Sequence, residues 1–479
     1  MMRNNADDHN EGRKKNPIIT WYDQLNKIID HVVDCRDPIV NNVHFEPGFN
    51  LPELDENVRE FFDCAYASWA TLGEFSGKKI HLMNLMDNSI CGTTKIFPSL
   101  LIVARAVHYI RKTGESIMIV CPSSGNKAIA LRAAVERAIR CQLVRPDQLS
   151  ISIIIPENAK HKVRSGDLSI NSHLARLNPV MLYRGDKTDN VKVLAKKFIE
   201  EHSELYCKAR NIRLWYSLDI RNYKIADALR AFYELEACPP IKEKRRIHAH
   251  AVSSAYGLLG YNLGCTVLEN SGLKNPQYRP GFLLVQHLAT SDMVLNLLKG
   301  DFDRKGLPEW RLNSHTGYLE QNSDPHFPLK VLDLTEILEP TFYTKAPPTS
   351  NEMNTIIRKN GGTGIVVSLA ECLEKYSLLR NTVSPFGIML PGDPRKLMEW
   401  SMCMAFTGVM NAIERQLINE FDEVVIHASG SYFSEQYEML EENKFINISN
   451  DADFHHAMWE LSDLESVQHK SITLKANSL

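Results

Sequence analysis

Three residues of this chain, Lys95, Asn126 and Ser429, each stand in a short polar turn that follows an apolar run. A lysine at the end of a strand can be desolvated, which lowers the pKa of its amine and frees it to form an imine with a carbonyl compound. An asparagine amide and a serine hydroxyl could hydrogen-bond and orient such a compound. Each residue alone is more often an exposed lysine, a helix cap or a turn serine, so the argument depends on the three together.

Two polar turns have the form of anion-binding sites, because each lies between a predicted strand and the start of a predicted helix. The first is Ser123, Ser124, Gly125 and Asn126, followed by Lys127. Its hydroxyls and backbone N–H groups suit an amino-acid carboxylate. The second is Ser253, Ser254, Ala255, Tyr256 and Gly257, a candidate for a phosphate group. Residues 287–291 are a rival candidate for the phosphate, and a plain helix cap is the alternative for the first turn.

The elements that would position these residues alternate from about residue 77 to residue 431. Apolar runs predict strands at 117–121, 151–155, 179–183, 247–253, 282–286 and 365–367. Apolar residues at helical spacing predict helices at 100–110, 126–140, 191–202, 258–268 and 397–421. Apolar strands separated by helices are typical of a mostly parallel twisted sheet covered on both faces, so we expect a two-lobed, doubly wound α/β fold.

We expect two domains. Residues 17–98 and 213–479 would form a large domain that binds a cofactor, with an insertion at about 301–360 that has little periodicity. Residues 99–212 would form a small mobile domain. Residues 1–16 are polar and charged and predict a disordered tail.

Composition excludes several classes of protein. The net charge of −3 provides no broad basic field for nucleic acid, and the short basic run at 242–246 is typical of a solvated loop. Ten cysteines without a CxxC pair favour reduced thiols in the cytoplasm. No apolar run approaches the roughly 20 residues that span a bilayer, and no secretory signal is present at the start. His248 and His250 alternate on a predicted strand without a third ligand nearby in sequence, so we expect no metal site.

Together these segments resemble the tryptophan-synthase-like enzymes that use pyridoxal 5′-phosphate (PLP), known as fold type II. The likeness is strongest to threonine synthase and cysteate synthase and covers roughly residues 78–434. It implies that Lys95 holds PLP as a Schiff base, that Asn126 and Ser429 bind the cofactor ring, and that residues 253–257 hold its phosphate. It also implies that the substrate is held by Ser123, Ser124, Gly125 and Lys127.

The resemblance implies a PLP-dependent lyase or transferase that performs β- or γ-elimination or replacement. Its substrate would be a small amino acid with an activated side chain, possibly an O-phospho group, and Lys95 would act as general base. Relatives are usually homodimers. Two alternatives stay open, namely a divergent homologue that acts as a binding or regulatory protein, and an α/β enzyme without PLP that binds a phosphorylated ligand.

Overall fold

A computed structural model describes residues 14–41, 44–273, 279–342 and 344–459. Its strands are β1 (Ile39–Val40), β2 (Phe45–Glu46), β3 (Tyr66–Phe75), β4 (Lys78–Asp87), β5 (Ser116–Pro122), β6 (Leu149–Pro156), β7 (Val180–Tyr183), β8 (Ile212–Tyr216), β9 (Arg246–Ala251), β10 (Gly281–His287), β11 (Arg311–Leu312), β12 (Leu319–Glu320), β13 (Lys330–Val331), β14 (Gly362–Val367), β15 (Glu423–Ala428) and β16 (Phe445–Ile448). Its helices are α1 (Pro17–Thr20), α2 (Tyr22–Asp30), α3 (Glu56–Phe62), α4 (Ile96–Thr113), α5 (Asn126–Arg140), α6 (Asp167–Ile170), α7 (Ser172–Leu177), α8 (Asn190–Arg210), α9 (Ile220–Ala237), α10 (Tyr256–Asn270), α11 (Asp292–Lys299), α12 (Ser350–Asn360), α13 (Leu369–Val383) and α14 (Ser401–Glu414).

The chain divides into two compact units. Among the described residues, the first comprises those within 14–32, 62–98 and 220–436. Its sheet has the strand order β14-β10-β9-β15-β4-β3, and every neighbouring pair is parallel except β3 with β4. Strands β9, β15 and β4 are therefore neighbours, and their carboxyl ends meet at one edge of the sheet.

Helix α14 forms the centre of the first unit's core. It is apolar around most of its circumference, and residues 401–413 are all buried. It packs across β9, β10, β14 and β15. A Cβ atom at Gly408 would lie 2.6 Å from Val285, so the missing side chain permits this close approach to β10.

The second unit comprises the described residues within 33–61, 99–219 and 437–459. Its five-stranded sheet has the order β16-β7-β6-β5-β8 and is parallel throughout. Strand β6 is buried along its whole length, which is typical of a parallel strand covered on both faces. An apolar cluster joins β5, β6 and β7 to α8 and to residues 448–458.

The predicted strands and helices are found, with shifts of a few residues at most ends, and α5 has the predicted bounds. The prediction of a single helix over 397–421 is wrong at both ends, because α14 begins at Ser401 and ends at Glu414. Met398 donates its backbone N–H to Tyr432 instead of entering a helix. Gln416, with φ +59°, adopts the left-handed conformation just beyond the other end.

The predicted disordered tail and the predicted domain boundaries can both be compared with the structure. Most of the predicted disordered tail (1–13) lies outside the described residues, but Lys15 pairs with Ala67 and Asn16 caps α1. The compact units differ from the predicted domains, since 33–61 and 437–459 belong to the second unit. Which domain binds a cofactor, and whether one is mobile, stay predictions.

Among the described residues, no helix is long and apolar enough to cross a membrane.

Candidate active site

The turns that contain Lys95 and Ser429 lie against each other in the first unit. The backbone N–H of Thr94 donates to the carbonyl of Ser429 at 2.8 Å, and Ser431 donates to the carbonyl of Gly92 at 3.1 Å. Gly92 has φ +61°, and a Cβ atom there would lie 3.0 Å from the Ser431 carbonyl. This contact therefore favours glycine, and it fixes the segment that leads to Lys95.

Lys95 precedes α4 directly and is partly buried. Its Nζ atom lies 5.0 Å from the centroid of the Tyr223 ring, a cation–π contact. Desolvation is the main cause that lowers the pKa of this amine below its ordinary value. Asp227 opposes the shift and Arg230 adds to it. A lysine with a lowered pKa is more often neutral and nucleophilic near physiological pH.

Arg230 on α9 is the main residue near Lys95 that the sequence prediction missed. Its guanidinium is buried, forms an ion pair with Asp227 and donates to the Thr94 hydroxyl at 2.8 Å. It also lies 3.3 Å from His427. Its Nε atom is buried without a hydrogen-bond partner among the described residues. A buried cation with an unused donor favours an anionic ligand nearby.

The predicted phosphate turn, residues 253–257, follows β9 and opens α10. Ala255 adopts the left-handed conformation at φ +53°. Within the described part of the chain, the backbone N–H groups of Ser253, Ser254 and Ala255 donate to no protein acceptor. Gly257 lies against Arg230, since a Cβ atom would be 2.6 Å from the nearest guanidinium nitrogen. Free N–H groups at the start of a 15-residue helix, beside an arginine, form an anion-binding arrangement.

In the rival turn at 287–291, the His287 side chain makes hydrogen bonds within the protein. His287 is bonded to the Thr290 hydroxyl at 2.9 Å and lies 3.2 Å from the Phe342 carbonyl. Burial lowers the pKa of His287 to about 4, so the ring is neutral at physiological pH. The cation at this turn, Arg304, donates to the carbonyl of Leu288 at 3.1 Å and lies 3.8 Å from the Asp292 carboxylate.

A second missed residue, Glu399, lies beneath the turn that carries Ser429. It is 1% exposed, and a Cβ atom at Gly430 would lie 2.8 Å from its side chain. Its carboxylate accepts from the backbone N–H of Ser401 at 3.1 Å and raises the pKa of Lys95. The site around Lys95 therefore contains two carboxylates, Asp227 and Glu399, and one arginine.

The predicted substrate turn lies in the second unit, at the start of α5. The Ser123 hydroxyl accepts from the N–H groups of Gly125 and Ala128, both at 3.1 Å, so it caps the helix. Gly125 has φ +130°, and Asn126 is buried as the first residue of α5. The Lys127 amine is also buried and donates to the Ser217 carbonyl at 2.8 Å. The binding roles given to Ser123, Ser124, Gly125, Asn126 and Lys127 stay predictions.

Three histidines meet in the interior of the first unit. His248 is bonded to His427 at 2.8 Å, and the rings of His250 and His427 lie 3.9 Å apart. Glu234 lies 3.2 Å from His248 on the other side. His427 is thus a third imidazole beside the His248–His250 pair, which the sequence alone did not bring together. The described residues contain no group of three or more side chains arranged to hold a metal ion.

The missed residues left only a faint signal in the sequence. Asp227 and Arg230 interrupt the apolar stretch of α9 three residues apart, so they share one face of the helix. A charged pair inside a buried helix is unusual and indicates a polar site. Glu399 stands in the segment that was wrongly predicted as helix, and its contact with Gly430 is long-range.

Several solved structures are similar to this chain. Threonine synthase from Escherichia coli matches with a TM-score of 0.52 at 12% identity, covering 91% of this chain and 90% of that chain. Threonine synthase from yeast matches with a TM-score of 0.50 at 11% identity, covering 82% and 81%. PLP-bound threonine synthase from Brucella melitensis has a TM-score of 0.46 at 12% identity, covering 79% and 72%. The architecture is the predicted one, the α/β fold of the fold type II PLP enzymes, with mostly parallel sheets.

The chain belongs to the Family of unknown function (DUF6002), whose model matches residues 13–462. Among curated proteins, none matches the sequence.

Proposed function

We propose that this protein is a PLP-dependent lyase or transferase in which Lys95 binds the cofactor covalently. Its reaction would be β- or γ-elimination or replacement on an amino acid with an activated side chain. One observation carries the proposal, namely that the turn of Lys95 is hydrogen-bonded to that of Ser429 and contacts the phosphate-type turn at 253–257 through Arg230. In parallel α/β sheets, ligands bind at the carboxyl ends of the strands, where these three turns lie.

The side chains of the first unit fit PLP in charge and in hydrogen bonding. The cofactor phosphate would lie on the free N–H groups of residues 253–255, with the unused Nε of Arg230 as a further donor. Lys95 has the desolvated amine that a carbonyl cofactor requires. The Ser429 hydroxyl would face the pyridine nitrogen and leave it uncharged. When bound, PLP supplies an electron sink for the bond that breaks at the substrate α-carbon.

The chain's own groups would move the proton. Lys95, once its amine is released by the substrate, would accept the α-proton as general base. Asp227 and Glu399 favour the protonated lysine and Arg230 disfavours it, so these three charges set its proton affinity. Tyr223 covers the amine with an aromatic ring and limits access of water. The substrate would be a small amino acid, and a homodimer is the proposed assembly.

The covalent step can be tested by chemical trapping. The purified protein would be incubated with PLP, reduced with borohydride, digested and examined by mass spectrometry. We expect the pyridoxyl group on Lys95 and its loss in Lys95→Ala. Lys330→Ala, a matched change at a partly exposed lysine of the same unit, should keep the label. A label on another lysine in the wild-type protein would contradict the proposal.

The reaction class needs a separate assay. Incubation with O-phosphoserine, O-phosphohomoserine and O-acetylserine should release the leaving group from at least one of them, and Lys95→Ala should slow that release at least about 100-fold. PLP retained without any covalent link would instead favour the alternative of a protein that binds a phosphorylated ligand. A protein that takes up no PLP would favour the regulatory homologue.

A further inference from the structure

A charged cavity lies at the amino ends of the first unit's strands, the edge of the sheet opposite Lys95. It occupies about 110 Å³ and is lined by residues just before β9, β10, β14 and β15, at the amino ends of these strands. Five of the lining side chains are cationic, and one, Glu234, is a carboxylate. The cations are Lys242, Lys244, Arg245, Arg246 and Arg279.

The five cations fall into two groups. Arg246 is buried and paired with Glu234 and Glu423, and Arg279 is paired with Glu269 at 2.6 Å. Lys242, Lys244 and Arg245 form no ion pair with any described residue, and all three are exposed. Three cationic side chains thus border one cavity without an ion-pair partner among the described residues, whereas the arginines behind them are neutralised.

Part of this lining is held in place before any ligand binds. The Arg245 guanidinium lies 4.7 Å from the Phe421 ring centroid, and its backbone N–H donates to Asp422 at 2.8 Å. Behind it, Arg246 and Tyr261 are locked by their contacts with Glu234. Asn360 adds a side-chain amide to the wall. A concave site with fixed donors loses less entropy on binding than scattered surface lysines would.

We propose that this cavity binds a small doubly charged oxyanion, either inorganic phosphate or the phosphate group of a phosphorylated metabolite. The cavity exceeds the roughly 30 Å³ share of a water molecule several-fold, so it has room for one such group. Arginine and lysine donors would bind its oxygens through charge-assisted hydrogen bonds. The site is distinct from the proposed cofactor site, because Lys95 lies beyond the carboxyl ends of the strands.

Isothermal titration calorimetry tests the proposal. Inorganic phosphate would be titrated into the full-length protein in a low-salt buffer that itself contains no phosphate. The wild-type protein should bind saturably. Lys244→Ala/Arg245→Ala should weaken binding at least about tenfold, the loss expected from two charge-assisted contacts. The control, Lys196→Ala/Lys208→Ala, removes two exposed cations of α8 and should change affinity less than twofold. Phosphate should also raise the thermal unfolding midpoint of the wild-type protein more than that of the cavity variant.

Three results would overturn the proposal: no saturable binding by the wild-type protein, equal weakening in both double variants, or saturable binding that Lys244→Ala/Arg245→Ala leaves unchanged. The last would place the phosphate outside this cavity. If phosphate binds, a second titration with glycerol phosphate distinguishes the sources. A tighter affinity than for inorganic phosphate indicates a metabolite, and a weaker one indicates the free ion.

Discussion

At the scale of single residues, loss of the Arg230 side chain should lower stability strongly. It forms an ion pair with Asp227, and both side chains are only 6% exposed. Arg230→Met would leave a buried carboxylate without its partner. We expect the free energy of unfolding to fall by about 3–5 kcal/mol, measured by urea denaturation.

Removing both charges distinguishes the contribution of the ion pair to stability from the contribution of packing. Asp227→Asn/Arg230→Met should lose less stability than Arg230→Met, because no unpaired carboxylate remains. The matched surface change, Arg395→Met, breaks an exposed pair with Asp393 and should alter stability by less than about 1 kcal/mol. Equal losses in the single and double variants would show that the charge of Asp227 is not the cause.

The same two charges should set the pH dependence of Lys95. Arg230 lowers the pKa of the amine and Asp227 raises it. The rate at which PLP is captured should therefore reach half its maximum at a higher pH in Arg230→Met than in the wild type, and at a lower pH in Asp227→Asn. Arg395→Met should leave the profile unchanged. Shifts in the same direction for both variants would contradict this electrostatic account.

How far the candidate site follows from sequence depends on where its residues lie. Lys95 and Ser429 could be proposed because each follows an apolar strand run, and parallel strands deliver such turns to one edge. Arg230 and Glu399 could not, because they come from a helix and a connecting segment that approach this edge from elsewhere in the chain. Sequence patterns report the neighbours of a residue along the chain, whereas these contacts depend on how elements pack.

At the scale of elements, the packing of α9 against α10 positions both Arg230 and the turn at 253–257. The helices approach closely through the glycines of α10, and a Cβ atom at Gly264 would lie 2.1 Å from the Ala228 carbonyl. Gly264→Ala should lower the free energy of unfolding by about 1–3 kcal/mol, although alanine favours helix. Gly392→Ala, where a Cβ atom meets nothing within 4 Å, should have little effect in the same urea assay. Similar losses in both would contradict tight helix packing.

Most elements follow from periodicity, and the failures have identifiable causes. Helix α5 was predicted to the residue, because its apolar spacing starts directly after a polar turn. The prediction over 397–421 extended too far, because its apolar residues continue at helical spacing beyond both real ends. At the N-terminal end the backbone makes a long-range bond, Met398 to Tyr432, that no local pattern contains.

At the scale of the whole molecule, buried polar contacts extend through the first unit. From Arg230 they pass to His427, to His248 and to Glu234, which is paired with Arg246 beside the basic cavity. This chain of contacts connects the surroundings of Lys95 to the other edge of the sheet. Burial is the main cause that lowers the pKa of His250 and His427 well below the ordinary value. These rings are therefore neutral in the folded protein.

Buried neutral histidines should make the fold sensitive to acid. For His287 the folded pKa is about 4 and the ordinary value is 6.5, so below pH 6.5 the unfolded chain binds a proton that the folded chain does not. Stability is thus unaffected above pH 6.5 and falls as the pH drops towards 4. Between pH 7 and pH 5, His287 alone should contribute a loss of about 2 kcal/mol, and His250 and His427 should add to it. Urea denaturation of His287→Gln should show a shallower decline than the wild type, whereas the exposed control His315→Gln should match the wild type. An identical decline in His287→Gln would mean that this ring is already protonated in the fold or that the loss has another source.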